Sequence, residues 1–235
     1  GCNNFCTYCI VPYVRGRERS RSLESIMEES RQRVAEGAVE IMYLGQNVNA
    51  YGKNTDVGFD QLLLAANEIE GLKRIRYMTS HPRDFNDAMI SAIINAPKVC
   101  RHFHLPAQSG SSRILQKMNR GYTREAYLDL IHKIRQHIPE AIFTTDIIVG
   151  FPGETDEDFQ DTLSLMEAVG FDAAFTFMYS PRKGTPAAQM KDQIPLSEKK
   201  SRLQSLMSLQ ADISLALHQK MLGQEAEVLA ETYHQ

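Results

Sequence analysis

Three cysteines within eight residues constrain this chain more than any other feature. Cys2, Cys6 and Cys9 lie in Cys2-Asn-Asn-Phe-Cys6-Thr-Tyr-Cys9, at spacings of four and three. Disulfides between such close neighbours would be strained, and one thiol would be left over. Thiolates that bind metal in a reducing compartment are the better reading, which points to the cytoplasm. A cubane iron–sulfur cluster takes four ligands, usually cysteines, from a loop that wraps it. Three ligands leave one iron open to a non-protein group, and an open position separates a working metal site from a closed structural one. The other reading of the same residues is a zinc site completed by a distant fourth ligand. The first histidine, His81, is far along the chain, and Cys100 stands alone in Lys98-Val-Cys100-Arg101, where it reads as a small buried hydrophobe.

Downstream of this loop, short apolar runs alternate with amphipathic ones. Strands are expected at Val39–Leu44, Arg74–Thr79, His102–Pro106, Phe143–Val149 and Ala173–Tyr179. Helices are expected at Leu23–Glu36, Asp60–Ile69, Asp87–Asn95, Arg124–His137 and Asp156–Val169. Thr155 followed by Asp158 forms a capping box for the last of these. Such alternation predicts an α/β fold built from βαβ units on a parallel sheet. Five strands are fewer than a closed eight-stranded barrel needs. The fold expected is therefore a partial, open βα barrel, its first strand lying before Gly1, with one long helix over Ser197–Leu222. In such sheets the chemistry sits at the carboxyl ends of the strands. A cysteine loop with no strand before it is expected to hang loosely from the chain end. Beyond Gly223, Glu225–Thr232 reads as the first strand of a further domain.

Net charge is −3, so any nucleic-acid surface has to be a local patch rather than a global field. No run of eighteen apolar residues is present, and no membrane span is expected. The local patch on offer is Arg15, Arg17, Arg19 and Arg21, which in an extended segment share one face and suit phosphates. Their alternative is a solvated surface paired with Glu18, Glu24 and Glu28. Arg182 and Lys183 are weaker candidates for the same surface.

The C-x3-C-x2-C spacing, with Tyr8 just before the last cysteine, resembles the signature of radical S-adenosylmethionine enzymes. Gly1-Cys-Asn-Asn-Phe-Cys-Thr-Tyr-Cys-Ile-Val-Pro-Tyr13, followed by Arg15-Gly-Arg-Glu-Arg-Ser-Arg21, is similar to the methylthiotransferase family. His104–Ser111, Met118–Thr123, Asp146–Thr155 and Tyr179–Ala188 resemble the branch of that family acting on dimethylallyladenosine in tRNA. The resemblance covers essentially the whole chain. It implies a radical S-adenosylmethionine core over residues 1–196 that lacks its first strand, a helix of that core over 197–222, and the start of a truncated TRAM domain over 223–235. It implies a [4Fe–4S] cluster on Cys2, Cys6 and Cys9, S-adenosyl-L-methionine bound at the free iron, and a 5′-deoxyadenosyl radical. The implied reaction is methylthiolation of adenine ring carbon 2 of N(6)-dimethylallyladenosine next to the anticodon. A second, auxiliary [4Fe–4S] cluster would belong to an N-terminal domain outside this chain. The implied partners are tRNA and a reducing electron donor, with the protein a monomer and not membrane-bound.

The same resemblance suggests cofactor contacts. Tyr8 would present its backbone to the adenine, and Gly45, Gln46 and Asn47 would hold the amino group of the methionine moiety. Gln108 and Ser109 would bond the ribose, and Ile148 and Tyr179 would touch the adenine. Asp146, a carboxylate in an apolar strand, is costly to bury unpartnered, so it marks an inward polar site or a pair with an arginine. Each also has a plainer reading as core, turn or satisfied loop. Two other functions remain compatible with these residues. One keeps the chemistry on threonylcarbamoyl-adenosine in tRNA or an aspartate of a ribosomal protein. The other is a non-catalytic, metal-stabilised RNA-binding module.

Overall fold

The computed structural model describes residues 1–53 and 55–230. Five strands, β1 (Glu40–Tyr43), β2 (Arg74–Tyr77), β3 (His102–His104), β4 (Ile142–Val149) and β5 (Ala173–Met178), follow one another in chain order. Around them run α1 (Val11–Arg15), α2 (Leu23–Ala35), α3 (Phe59–Asn67), α4 (Asp87–Asn95), α5 (Ser112–Lys117), α6 (Arg124–His137), α7 (Asp156–Val169) and α8 (Leu196–Gln219). Every ladder is parallel: β1 pairs with β2, and β4 pairs with both β3 and β5. A single bridge, Ile75 to Val99, and a bond from Ser80 N–H to the His104 carbonyl (3.3 Å) span the gap between the two groups. Among the described residues the sheet does not close. This is the open βα arrangement that the strand count predicts.

Helix starts follow from local chemistry. Ser22, Asn86, Ser111 and Thr123 each accept a backbone N–H at the head of α2, α4, α5 and α6. At α7 the expected capping box is complete, with Thr155 and Asp158 bonding each other's backbone N–H. The turn feeding that helix needs a glycine. Gly150 has φ +69°, and a Cβ there would lie 2.4 Å from Lys199 of α8.

Side chains on β4 divide cleanly between two faces. Phe143, Thr145, Ile147 and Val149 are buried against the helices, in one core with Ile75, Phe103, Tyr127, Met166 and Phe171. The alternate residues Thr144, Asp146 and Ile148 face the concave side. The β4–β5 register sets Phe175 beside Asp146 and Phe177 beside Ile148. Both phenylalanines are about half exposed on that concave face.

Some boundaries differ from expectation. Strands β1, β2 and β3 are shorter at their carboxyl ends, because the residues beyond Tyr43, Tyr77 and His104 turn into loops rather than ladders. The long helix begins at Leu196 and stops at Gln219. No strand forms over residues 225–230, which are exposed, and residues 231–232 of the expected strand lie outside the described residues. Two short helices, α1 and α5, were not anticipated. Arg15 closes α1 and Arg17 lies in a bend, so the four arginines do not form one continuous extended strip.

Candidate functional site

The cysteine loop is tied down, contrary to expectation, by the chain that follows α5. Thr7 N–H bonds the Met118 carbonyl (3.0 Å), and the Thr7 hydroxyl bonds the Lys117 carbonyl (2.8 Å). Ala187 N–H donates to the Thr7 carbonyl (2.9 Å), and the Asn119 amide reaches the Phe5 carbonyl (3.1 Å). These tertiary bonds anchor the loop. Cys6 is buried, while Cys2 and Cys9 are partly exposed, and none forms a disulfide. Burial raises the thiol pKa of both Cys2 and Cys9. Metal binding would therefore have to displace protons.

The donor set fits an iron–sulfur cluster. It is all sulfur, a soft set suited to iron–sulfur chemistry. With three thiols at hand, one iron of a cubane would be left without a protein ligand, whereas a closed structural zinc site takes a fourth.

The structure brings Tyr8, Ile148 and Tyr179 into one small apolar cluster. Tyr8 meets Phe151 edge-on (6.5 Å between ring centres), and Phe151 meets Tyr179 (5.4 Å). Ile148 and Met118 complete this small apolar group, which is separate from the main core. Gln108 closes the end of β3 against β4, its N–H on the Asp146 carbonyl (2.8 Å) and its carbonyl on Ile148 N–H (2.9 Å). It does so at φ +69°. Phe5, Thr79 and Asn119 are the other non-glycine residues with positive φ among those described. They lie in the cysteine loop, beyond β2 and beyond α5. Strained backbone thus collects around this end of the sheet, as it does at functional sites.

Other expected contacts are drawn elsewhere. The Ser109 hydroxyl accepts from Ser111 N–H (3.2 Å) and meets Thr162 of α7 (3.4 Å), on the helix side of the sheet. Asn47 is buried, and both ends of its amide are engaged: Nδ2 donates to Asp84 (2.7 Å), and Oδ1 accepts from His81 N–H (3.1 Å). Its amide clamps the end of β1 to the end of β2. Gly45, Gln46 and Asn47 line a cavity of about 390 Å³ whose wall includes Arg19 and Arg21, but no cysteine. Asp146 has His104 as a neighbour (Nε2 to Oδ1, 3.5 Å). The Thr144 hydroxyl bonds His102 (2.9 Å) and His104 (3.0 Å), giving the concave face a polar patch beside Phe175. Arg15, Arg17, Arg19 and Arg21 are all exposed, and Arg21 pairs with Glu29. Arg182 and Lys183 are also exposed.

Three further residues enter the site without having been singled out. Arg120 is buried, its Nη1 3.4 Å from the Cys6 sulfur, its Nη2 on the Pro106 carbonyl (2.9 Å) and its Nε on the Tyr122 hydroxyl (3.0 Å). Tyr122 in turn meets the His81 ring edge-on (5.6 Å). Burial, with the Arg120 and Arg83 charges, pulls the His81 pKa down to about 3, so the ring is neutral at pH 7. Because Nδ1 accepts from Arg83 N–H (3.3 Å), the proton sits on Nε2, which is buried without an acceptor. The Ser80 and Tyr179 hydroxyls are likewise buried and unpartnered. Orphaned donors at two strand ends are what a polar cofactor would satisfy. Polar residues after each strand were visible in the sequence, but nothing local marked Arg120 and His81 as buried or Tyr122 as half-buried beside them.

Comparisons with known proteins agree with this geometry. The chain is 59% identical over 233 residues, 98% of its length, to a tRNA-2-methylthio-N(6)-dimethylallyladenosine synthase from Moorella thermoacetica. It is 57% identical, over the same share, to the enzyme of that name from Carboxydothermus hydrogenoformans. The chain spans 52% and 53% of those relatives, about half their length. Among solved structures it is similar to the radical S-adenosylmethionine methyltransferase TsrM from Kitasatospora setae, at TM-score 0.65 and 20% identity over 80% of this chain and 34% of that one. It also resembles methylornithine synthase (PylB), at TM-score 0.56 and 20% identity over 89% of this chain and 60% of that one. At such identity the two structures speak for the fold alone. The model of the radical SAM superfamily matches residues 1–166, well over half of the chain, and the chain belongs to that superfamily.

Proposed function

We propose that this chain is the radical-generating core of a tRNA methylthiotransferase that modifies ring carbon 2 of N(6)-dimethylallyladenosine beside the anticodon. One observation carries the reading: three free thiols on an anchored loop whose Tyr8 shares an apolar cluster with Ile148 and Tyr179 where the strands end. The 59% identity to a synthase of that name supports the substrate.

Cys2, Cys6 and Cys9 would hold a [4Fe–4S] cluster, leaving one iron for S-adenosyl-L-methionine. When bound, that cluster would supply the reducing electron for cleavage of the sulfonium. The chain's own part is to bind, orient and exclude water. Tyr8, Ile148 and Tyr179 offer an apolar wall for the adenine. Gln108, held in a left-handed turn at the end of β3, would bond the ribose, and the Tyr179 hydroxyl and His81 Nε2–H are donors without a partner among the described residues. The Ser109 hydroxyl and the Asn47 amide serve the fold instead. Arg15, Arg17 and Arg19 would meet tRNA phosphates. Residues 1–196 form the core in this reading and α8 closes it, with residues from 223 leading into a TRAM domain. A second cluster, a reducing donor and a cytoplasmic, monomeric setting belong to the same proposal. Among the described residues no helix is long and apolar enough to cross a membrane.

Nucleosides from tRNA of a strain lacking the gene test the substrate directly. Mass spectrometry should show the methylthio group gone and N(6)-dimethylallyladenosine accumulating. Persistence of the methylthio product, or loss of a methylthiolated threonylcarbamoyl-adenosine instead, contradicts the assignment.

A further inference from the structure

We propose that Arg120 is a positioning residue for the metal centre, a buried cation that donates to the Cys6 sulfur and raises the centre's reduction potential. The inference rests on the reading of Cys2, Cys6 and Cys9 as cluster ligands.

Taking a guanidinium out of water is costly unless an anion and good hydrogen bonds compensate. Arg120 is only 5% exposed, yet among the described residues no carboxylate pairs with it. Two of its partners, the Pro106 carbonyl and the Tyr122 hydroxyl, are neutral. The third is the Cys6 sulfur, and it is the one that becomes an anion on binding metal. The missing counter-charge is therefore the thiolate and the inorganic sulfide behind it.

Its geometry is also fixed in advance. Tyr122 is itself locked by its hydroxyl on the Pro106 (3.1 Å) and Ala107 (3.0 Å) carbonyls, and its ring lies 5.4 Å from the guanidinium carbon. Three nitrogens of one planar fork thus point in three directions, an arrangement that a lysine cannot reproduce. The backbone that carries Arg120 also carries Met118 and Asn119, which hold the cysteine loop. One short segment after α5 therefore sets both the loop and the charge beside it. Hydrogen bonds to sulfur and nearby charge set the potential of such clusters. One-electron reduction makes the cluster more negative, so a fixed cation favours the reduced form.

The test is potentiometry of the chain, reconstituted anaerobically with iron(II) and sulfide and reduced with dithionite through mediator dyes. Electron paramagnetic resonance follows the reduced cluster. Arg120→Met should disfavour reduction at least tenfold, a midpoint lower by about 59 mV or more for one electron. Arg120→Lys, which keeps the charge but loses the fork, should fall between wild type and Met. Equal midpoints in wild type and Met, each with a full [4Fe–4S] complement, overturn the proposal and leave the ligand reading intact. A wild-type chain that assembles no such cluster overturns both. Should the variants fail to fold, pulsed resonance on the reduced wild-type chain labelled with 15N-arginine decides. A weakly coupled arginine nitrogen is expected, and its absence overturns the proposal.

Discussion

Two arginines are equally buried in this molecule, and their surroundings are opposite. Arg202 of α8 reaches Glu154 (2.7 Å) and Asp156 (2.9 Å) at the head of α7 and Glu198 on its own helix. Arg120 has a sulfur, a hydroxyl and a carbonyl. The first is a cation whose charge is answered within the fold, and its job is to fasten α8 to the β4–α7 turn. The second is answered only when something outside the polypeptide arrives. A buried charge that the protein leaves uncompensated identifies a site more sharply than the number of exposed charges around it.

The largest effect expected is at the compensated arginine. Arg202→Met leaves Glu154, 3% exposed, without its partner and should cost about 3–5 kcal/mol in urea denaturation. Adding Glu154→Leu should restore most of that, because an apolar pair of similar volume replaces the ion pair. A loss below about 1 kcal/mol in the single variant would erase the contrast. Acid sharpens it next. Burial opposes ionisation of Asp158 at the head of α7, but bonds from Arg113, Ser111 and Thr155 outweigh it and lower the pKa to about 2. A depressed carboxylate stabilises the fold above its unfolded pKa, and that stability is lost as pH falls through the folded value. The chain should therefore lose about 1–2 kcal/mol between roughly pH 4 and pH 2, and Asp158→Asn should flatten that limb of the stability–pH curve. Arg120→Met in the metal-free chain should cost only about 1 kcal/mol, the worth of its neutral hydrogen bonds. A loss as large as that at Arg202 would make it a structural cation after all.

The smallest change in stability belongs to the exposed strip. Arg17→Ala and Arg19→Ala should each shift unfolding by no more than about 0.5 kcal/mol. Each should nevertheless lower the slope of log affinity against log salt for tRNA by roughly 0.7–0.9, as loss of one phosphate contact would. An unchanged slope would leave these arginines a solvated surface.

Legibility in the sequence followed how local each determinant is. The ends of α4, α6 and α7 coincide with the sequence reading, because capping side chains and apolar spacing lie within a few residues of each other. Helices α1 and α5, five and six residues long, are too short to show a periodicity. Tyr8, Ile148 and Tyr179 share one apolar cluster because strand ends and an open fold direct them to one place. The partner of Ser109, Thr162, lies 53 residues away on α7, out of reach of any local pattern. The Asn47 amide is likewise shared by His81 and Asp84 across two strand ends. Arg120 stood inside a motif already noted, but only the folded chain places it beside Cys6, 114 residues earlier. What escaped was pairing over long separations, which no local pattern encodes.

The central claim is that the cysteine loop carries a cluster able to open S-adenosyl-L-methionine. Chromatographic detection of 5′-deoxyadenosine, after anaerobic reconstitution and reduction with dithionite, tests it most directly. The wild-type chain should form the nucleoside, and Cys2→Ala, Cys6→Ala and Cys9→Ala should each abolish it. A chain that holds a full, reducible [4Fe–4S] cluster and yields no 5′-deoxyadenosine, or one that takes up zinc in its place, would contradict the account.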